Sequence, residues 1–92
     1  MKHSVYFDGK VQSLEIHTPG GRATVGVIEP GTFAFSTSSE EHIIVIEGSM
    51  KVRLPGRDWQ DVHKGGSELV VPRGVSFDID ARSDVAYICS YR

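Results

Sequence analysis

The stretch "GGSELVVPRGVSF", residues 65–77, decides how the chain folds. Its two β-type runs, "SELVV" and "VSF", are joined by Pro72, Arg73 and Gly74. Proline holds φ at about −65° and glycine reaches positive φ without steric penalty, so these three residues form a tight reversal. Gly65 and Gly66 punctuate the front of the stretch. No helix fits between reversals so closely spaced, and the segment reads as a strand, a turn and a strand.

The rest of the chain follows the same grammar. No segment carries a helical hydrophobic period over the roughly 11–18 residues that would define a helix. Period-two alternation recurs instead, interrupted by Gly, Pro, Asp and Ser. "VYF" opens the chain and "DG" turns it; "KVQSLEIH" then sets Leu14 and Ile16 on one face. "ATVGVIE" aligns Ala23, Val25 and Val27, and "TFAFST" aligns Phe33 and Phe35. "HIIVIE" is apolar on both faces and reads as a central strand. "GSMKVRL" continues with Met50, Val52 and Leu54, and "WQDVH" follows the "PGRD" turn. "VSFDID" and "VAYICSY" complete the set, the last aligning Val85, Tyr87, Cys89 and Tyr91. About nine or ten short, evenly spaced strands with essentially no helix define an all-β sandwich or barrel, one face of each strand turned inward.

Ninety-two residues make a single domain, residues 1–92. A chain this short buries only about 60–65% of its unfolded surface, so a partner subunit would add stability. The two apolar faces of "HIIVIE" point the same way, to a homodimer. With a net charge of −2 and its ten basic residues dispersed, the chain has no basic face and nucleic acid is not an expected partner. Cys89 is the single cysteine, which rules out an internal disulfide and a multi-cysteine zinc site. The N-terminus has no apolar stretch of secretory length, and nothing approaches about 18 consecutive apolar residues. No membrane segment is expected, and the cytoplasm is the expected location.

The central hairpins resemble the two motifs of the cupin barrel. The second motif, G-x5-P-x-G-x2-H-x3-N, is matched by Gly66, Pro72 and Gly74, but Phe77 stands at its histidine and Ala81 at its asparagine. The first motif ends H-x-H-x3-E-x6-G; Glu41 and Gly48 fit its last two positions, while Phe35 and Thr37 stand at its histidines. The turn-building residues are kept and the three imidazoles are gone, so only the Glu41 carboxylate remains of the ligand set. The resemblance implies a cupin-type double-stranded β-helix, a jelly-roll barrel, with neither a bound metal nor another cofactor. A metal site assembled from Glu41, His42 and His63 is the alternative, and no H-x-H pair supports it.

A closer similarity covers nearly the whole chain. "YFDGKVQSL", "GRATVGVIEPGTFAFST", the Glu41-to-Gly48 segment, "LPG" before Trp59, "VPRGVSF" and "YICSY" resemble the pyrimidine/purine nucleoside phosphorylases, which are small single-domain cupins. That resemblance implies metal-independent phosphorolysis of purine and pyrimidine ribonucleosides. Nucleoside and inorganic phosphate would give free base and α-D-ribose 1-phosphate, with broad base specificity. Two other readings of such a barrel stand beside it. One is a non-catalytic small-molecule-binding cupin; the other is a metal-dependent cupin isomerase or oxygenase, against which the missing histidines count.

Phosphorolysis brings a phosphate oxygen to C1′ of the ribose, develops positive charge on the sugar and releases the base. Glu41 is the candidate catalytic group, since a carboxylate partly withdrawn from water accepts bonds from ribose hydroxyls and favours positive charge at C1′. Otherwise it is a solvated member of "SSEEH", in which alternation turns Glu40 and His42 to solvent. Phe35 and Phe77 offer flat surface on which a base stacks for about 1–3 kcal/mol whatever its identity. Alternatively, both rings fill the space a metal left. Thr37 offers its hydroxyl to ribose or phosphate, or else satisfies a backbone group. Guanidinium suits phosphate through paired bonds. Arg22, after "PGG", and Arg73, inside the Pro-x-Gly turn, are the candidates at the barrel rim, with a solvated surface arginine as the alternative for each. Arg53 lies mid-strand with its direction open. Tyr87 either hydrogen-bonds base or phosphate or is a core aromatic with its hydroxyl at an edge. Cys89 has no base or cation beside it in sequence and reads as a small buried hydrophobe.

Overall fold

Period-two alternation becomes ten antiparallel strands in the computed structural model, which describes residues 1–92. In chain order they are β1 (His3–Tyr6), β2 (Val11–Thr18), β3 (Gly21–Ile28), β4 (Gly31–Ser36) and β5 (Glu41–Glu47). β6 (Ser49–Arg53), β7 (Gln60–His63), β8 (Leu69–Val71), β9 (Ser76–Ala81) and β10 (Val85–Tyr91) follow. Six of them form one sheet in the order β1-β2-β3-β10-β5-β8, and four form a second in the order β4-β9-β6-β7. The chain crosses repeatedly from one sheet to the other, which is the jelly-roll path expected from the sequence. The sheets face each other as two layers, and no continuous hydrogen-bonded ladder closes them into a cylinder. The one helical element is a single 3-10 turn at Phe7–Gly9, and no helix is long and apolar enough to cross a membrane.

Two expected strands are shorter than their apolar runs. Trp59 precedes β7 because pairing with β6 starts at Gln60, and β8 keeps only the three residues that pair with β5. Inward-facing residues build one continuous core between the layers. Phe33, Met50, Val52, Phe77 and Ile79 of the smaller sheet meet Ile43, Val45, Val71, Val85 and Cys89 of the larger. Burial of such side chains at about 25 cal/mol per Å² of apolar surface drives the two layers together. On the outer face of the larger sheet the alternation leaves Leu14, Val25, Val27, Ile44, Ile46 and Val70 exposed.

The Pro72–Gly74 reversal is held by the end of β4. Gly74 sits at φ 76°, a left-handed value that glycine adopts freely. Gly66 is favoured for a different reason: a Cβ there would crowd the His63 carbonyl oxygen at 3.0 Å, the oxygen to which its own N–H donates. The Thr37 hydroxyl donates to the Pro72 carbonyl at 2.7 Å and accepts from the Val75 N–H at 3.1 Å. The Thr37 N–H donates to Val75 O at 2.9 Å, and its carbonyl accepts from the Gly74 N–H at 3.1 Å. Thr37 is 7% exposed, so this clamp is shielded from water. Replacing it by the isosteric valine (Thr37→Val) leaves a buried donor and acceptor unpaired. That change is expected to lower unfolding free energy by about 1–3 kcal/mol, measured by urea denaturation.

Candidate active site

A cavity of about 390 Å³ opens between the sheets, lined by 17 residues of which 12 are hydrophobic. Its aromatic side is built by β4 and β9, whose register sets Phe35 directly opposite Phe77. The two rings stack with centroids 5.8 Å apart and planes at 28°. Phe77 is buried beneath, while Phe35 keeps part of its surface open to the cavity. A third ring joins them. Phe7 packs against Phe33 at 5.0 Å and meets Phe35 edge-on at 5.3 Å, and it stays 42% exposed at the cavity wall. It gets there because Phe7 and Asp8 adopt φ of 52° and 55°. Such left-handed values cost a residue with a side chain about 1–2 kcal/mol, and strain of this kind gathers at functional sites.

The polar side is built by β3, β5 and β10. Glu41 opens β5, in register with Tyr91 on β10. Burial withdraws its carboxylate from water and raises its pKa above the ordinary value. A hydrogen bond from the Cys89 thiol, with Sγ 3.5 Å from Oε1, and the positive charge of Arg22 offset that rise only in part. Arg22 is the one guanidinium in the lining. Its Cζ lies 3.9 Å from the centroid of the Tyr91 ring, and its Nη1 donates to Glu15 Oε1 at 3.1 Å. Burial works against charge on Glu15, but the bond and charge of Arg22 prevail and hold its pKa below the usual value. The Tyr91 hydroxyl bonds to Thr24 Oγ1 at 3.0 Å. Burial pushes Tyr87 and Cys89 up to about 12, and Tyr91 is likewise raised. All three therefore stay protonated near neutral pH and can donate hydrogen bonds but not act as anions.

The structure brings Glu41, Phe35, Phe77, Tyr87 and Arg22 to this one cavity. It does not bring Thr37 or Arg73 there: the Thr37 hydroxyl serves the backbone of the turn, and Arg73 is exposed on that turn, outside the lining. Arg53 faces outward from the smaller sheet, bonded to Asp78 at 2.9 Å and 4.7 Å from the Trp59 ring centroid. His42, expected to face solvent, is only 14% exposed because Glu40 and Glu68 close on it, each 2.7 Å from a ring nitrogen. Both nitrogens then donate to carboxylates, which raises its pKa and favours the imidazolium. His63 bonds the Lys64 carbonyl at the surface, and no three His, Cys, Asp or Glu side chains gather as a metal site.

Several lining residues escape a reading of the sequence. Ser13 shares strand parity with the buried Val11, so a polar residue on a core-facing position was its available signal. Tyr91 stood in the alternation of β10 without a partner to mark it. Phe7 had no signal, since "DG" announces a turn but not its left-handed entry.

The pyrimidine/purine nucleoside phosphorylase family matches residues 1–91. The chain belongs to this family. A Clostridioides difficile protein of that name is 45% identical over 91 residues, covering 98% of this chain and 87% of its own. The crystal structure of a Vibrio parahaemolyticus protein of unknown function is similar at a TM-score of 0.93 and 33% identity, over 99% of this chain and 97% of that one. A cupin-like protein from Thermotoga maritima shares the fold at a TM-score of 0.70 and 20% identity, over 86% of this chain and 65% of its own. The jelly roll expected from the sequence is thus a cupin fold.

The raised pKa of Glu41 has a consequence for stability. The folded state binds this proton more tightly than the unfolded chain, so the carboxylate costs stability as pH rises from its ordinary value of 4.5 through the folded value. Glu41→Gln removes that cost. Its melting temperature is expected to exceed that of the parent at neutral pH and to converge on it below pH 4.5, read by thermal denaturation across pH.

Proposed function

We propose that the chain is a nucleoside phosphorylase, cleaving purine and pyrimidine ribonucleosides with inorganic phosphate to free base and α-D-ribose 1-phosphate. The observation that carries this reading is Glu41, a carboxylate of raised pKa inside an aromatic cavity with a single lining guanidinium, in a chain of this family. A phosphate oxygen bonds to C1′ as the C1′–N bond breaks, and the bonding pair leaves with the base. The proton of hydrogen phosphate ends on the departing base, so nucleoside plus HPO4²⁻ becomes neutral base plus ribose 1-phosphate dianion. Glu41 supplies negative charge beside the developing cation and accepts from ribose hydroxyls. Arg22 exchanges its single bond to Glu15 for phosphate, which can accept from two of its donors at once. Phe35, backed by Phe77, and Phe7 receive the base, and stacking of this kind tolerates either base class. Tyr87 and Cys89 stay protonated and act as donors. Thr37 and Arg73 have no part in this reading. It is metal-independent, because Phe35, Thr37 and Phe77 stand where the imidazole ligands of metal-binding cupins would be. It takes the cytoplasm as the location of the reaction.

Uridine or adenosine incubated with the protein in phosphate buffer is expected to release base and ribose 1-phosphate in equal amounts. Glu41→Ala should lower kcat by at least about 100-fold. Arg22→Ala should raise KM for phosphate by about 10-fold while leaving that for the nucleoside little changed. If several nucleosides raise the melting temperature and none is cleaved, the cavity belongs to a non-catalytic binder. Activity abolished by a chelator and restored by metal would favour the metal-dependent reading.

The assembly proposed is a homodimer formed through the outer face of the larger sheet. There Leu14 pairs with Val25, Val25 with Ile88 and Ile88 with Ile44, making one apolar row across four strands. Val27, Ile46 and Val70 widen it, and a second copy offers the same self-complementary surface through a two-fold axis. Sedimentation equilibrium is expected to give twice the chain mass, and Ile44→Glu to give a folded monomer.

A further inference from the structure

The geometry points to Gly26 as the residue that determines how large a base the cavity accepts. Gly26 lies on β3, in register with Ser13 on β2 and Tyr87 on β10. Side chains in such a row normally stand side by side on the pleated face. Tyr87 does not stand up; its ring leans over Gly26. A Cβ built at Gly26 would fall 2.5 Å from both Cζ and Oη of Tyr87 and 2.7 Å from Cε1. Gly26 is not among the glycines at positive φ, so its backbone would accept any L-residue. Glycine is therefore required here by the tyrosine ring and not by the chain conformation.

Laid flat, Tyr87 is part of the cavity wall instead of an obstruction within it. A methyl group at position 26 would have to push the ring back by about 1 Å to reach an ordinary contact near 3.4 Å. β3 and its neighbouring strands block retreat behind the sheet, so the ring would rise into the cavity towards the smaller sheet. A purine exceeds a pyrimidine by one fused five-membered ring, so a narrower cavity penalises a purine before a pyrimidine. This inference rests on the cavity being the nucleoside site. It adds that acceptance of both base classes depends on one missing Cβ.

The test compares Gly26→Ala and Tyr87→Ala with the parent, using kcat/KM for adenosine and for uridine. Gly26→Ala is expected to lower the adenosine-to-uridine ratio by about 10-fold or more, the scale on which one methylene or a 1 Å displacement acts in a closed site. Tyr87→Ala, which opens the same space, should move the ratio the other way whatever its absolute rate. Should Gly26→Ala not fold, Tyr87→Ala and Tyr87→Leu make the same comparison from the other side. A folded variant of either position whose ratio stays within twofold of the parent overturns the inference, even if both substrates suffer equally. Dissociation constants for adenosine and uridine without phosphate supply the same ratio. Absence of turnover in the parent would therefore sink the phosphorylase reading and leave this one still decided by binding.

Discussion

Six strands lie against four, and the site follows from that mismatch. Facing sheets sit about 10 Å apart and fill the space between them with every second side chain. Where the layers pack directly, Phe33 and Val52 join Val45 and Val71 in the core, and the interior is closed. The larger sheet has more inner face than the smaller one covers. The cavity opens between the two inner faces: the smaller sheet adds Phe35 and Phe77, β2 adds Ser13, β3 adds Arg22 and β10 adds Tyr87 and Tyr91. The 3-10 turn after β1 carries Phe7 across to the rings of the smaller sheet, at the cost of two left-handed residues.

The pleat then gives neighbouring residues opposite fates. Glu41 turns inward, loses water and keeps only a thiol bond and a distant guanidinium, so its charge is held at a cost. His42, the next residue, turns outward and gains two carboxylates, so its charge is favoured. A half-buried carboxylate with so few partners is a poor contribution to stability. The same economy governs the phenols. Tyr91 is tied to Thr24 and lies under Arg22, whereas Tyr87 is steered by a glycine that leaves it room.

The outer face of the larger sheet carries Val25, Val27, Ile44 and Ile46 at positions that water would ordinarily claim. A core of 17 buried hydrophobic residues leaves little reserve in a chain of 92 residues. Inner and outer faces thus differ in kind, one shaping a pocket and the other leaving an apolar row open to solvent.

Local chemistry was enough to reveal the strands, the reversal at Pro72–Gly74 and the all-β class, and motif spacing put Phe35, Phe77 and Glu41 forward as lining candidates without settling that Glu41 turns inward. Alternation and turn residues act over a few positions, and a motif's spacing survives in the linear chain. It was not enough to separate Thr37 from Arg22, two polar candidates for each of which a purely structural role stood beside the functional one. One became a backbone clamp because the 72–75 turn folds against it, and the other reached the cavity because β3 lies beside β10. Phe7 as a wall and Gly26 as the bed of a tyrosine ring likewise came only with folding. Each depends on contacts between segments far apart in the chain, and such contacts leave no local period to read.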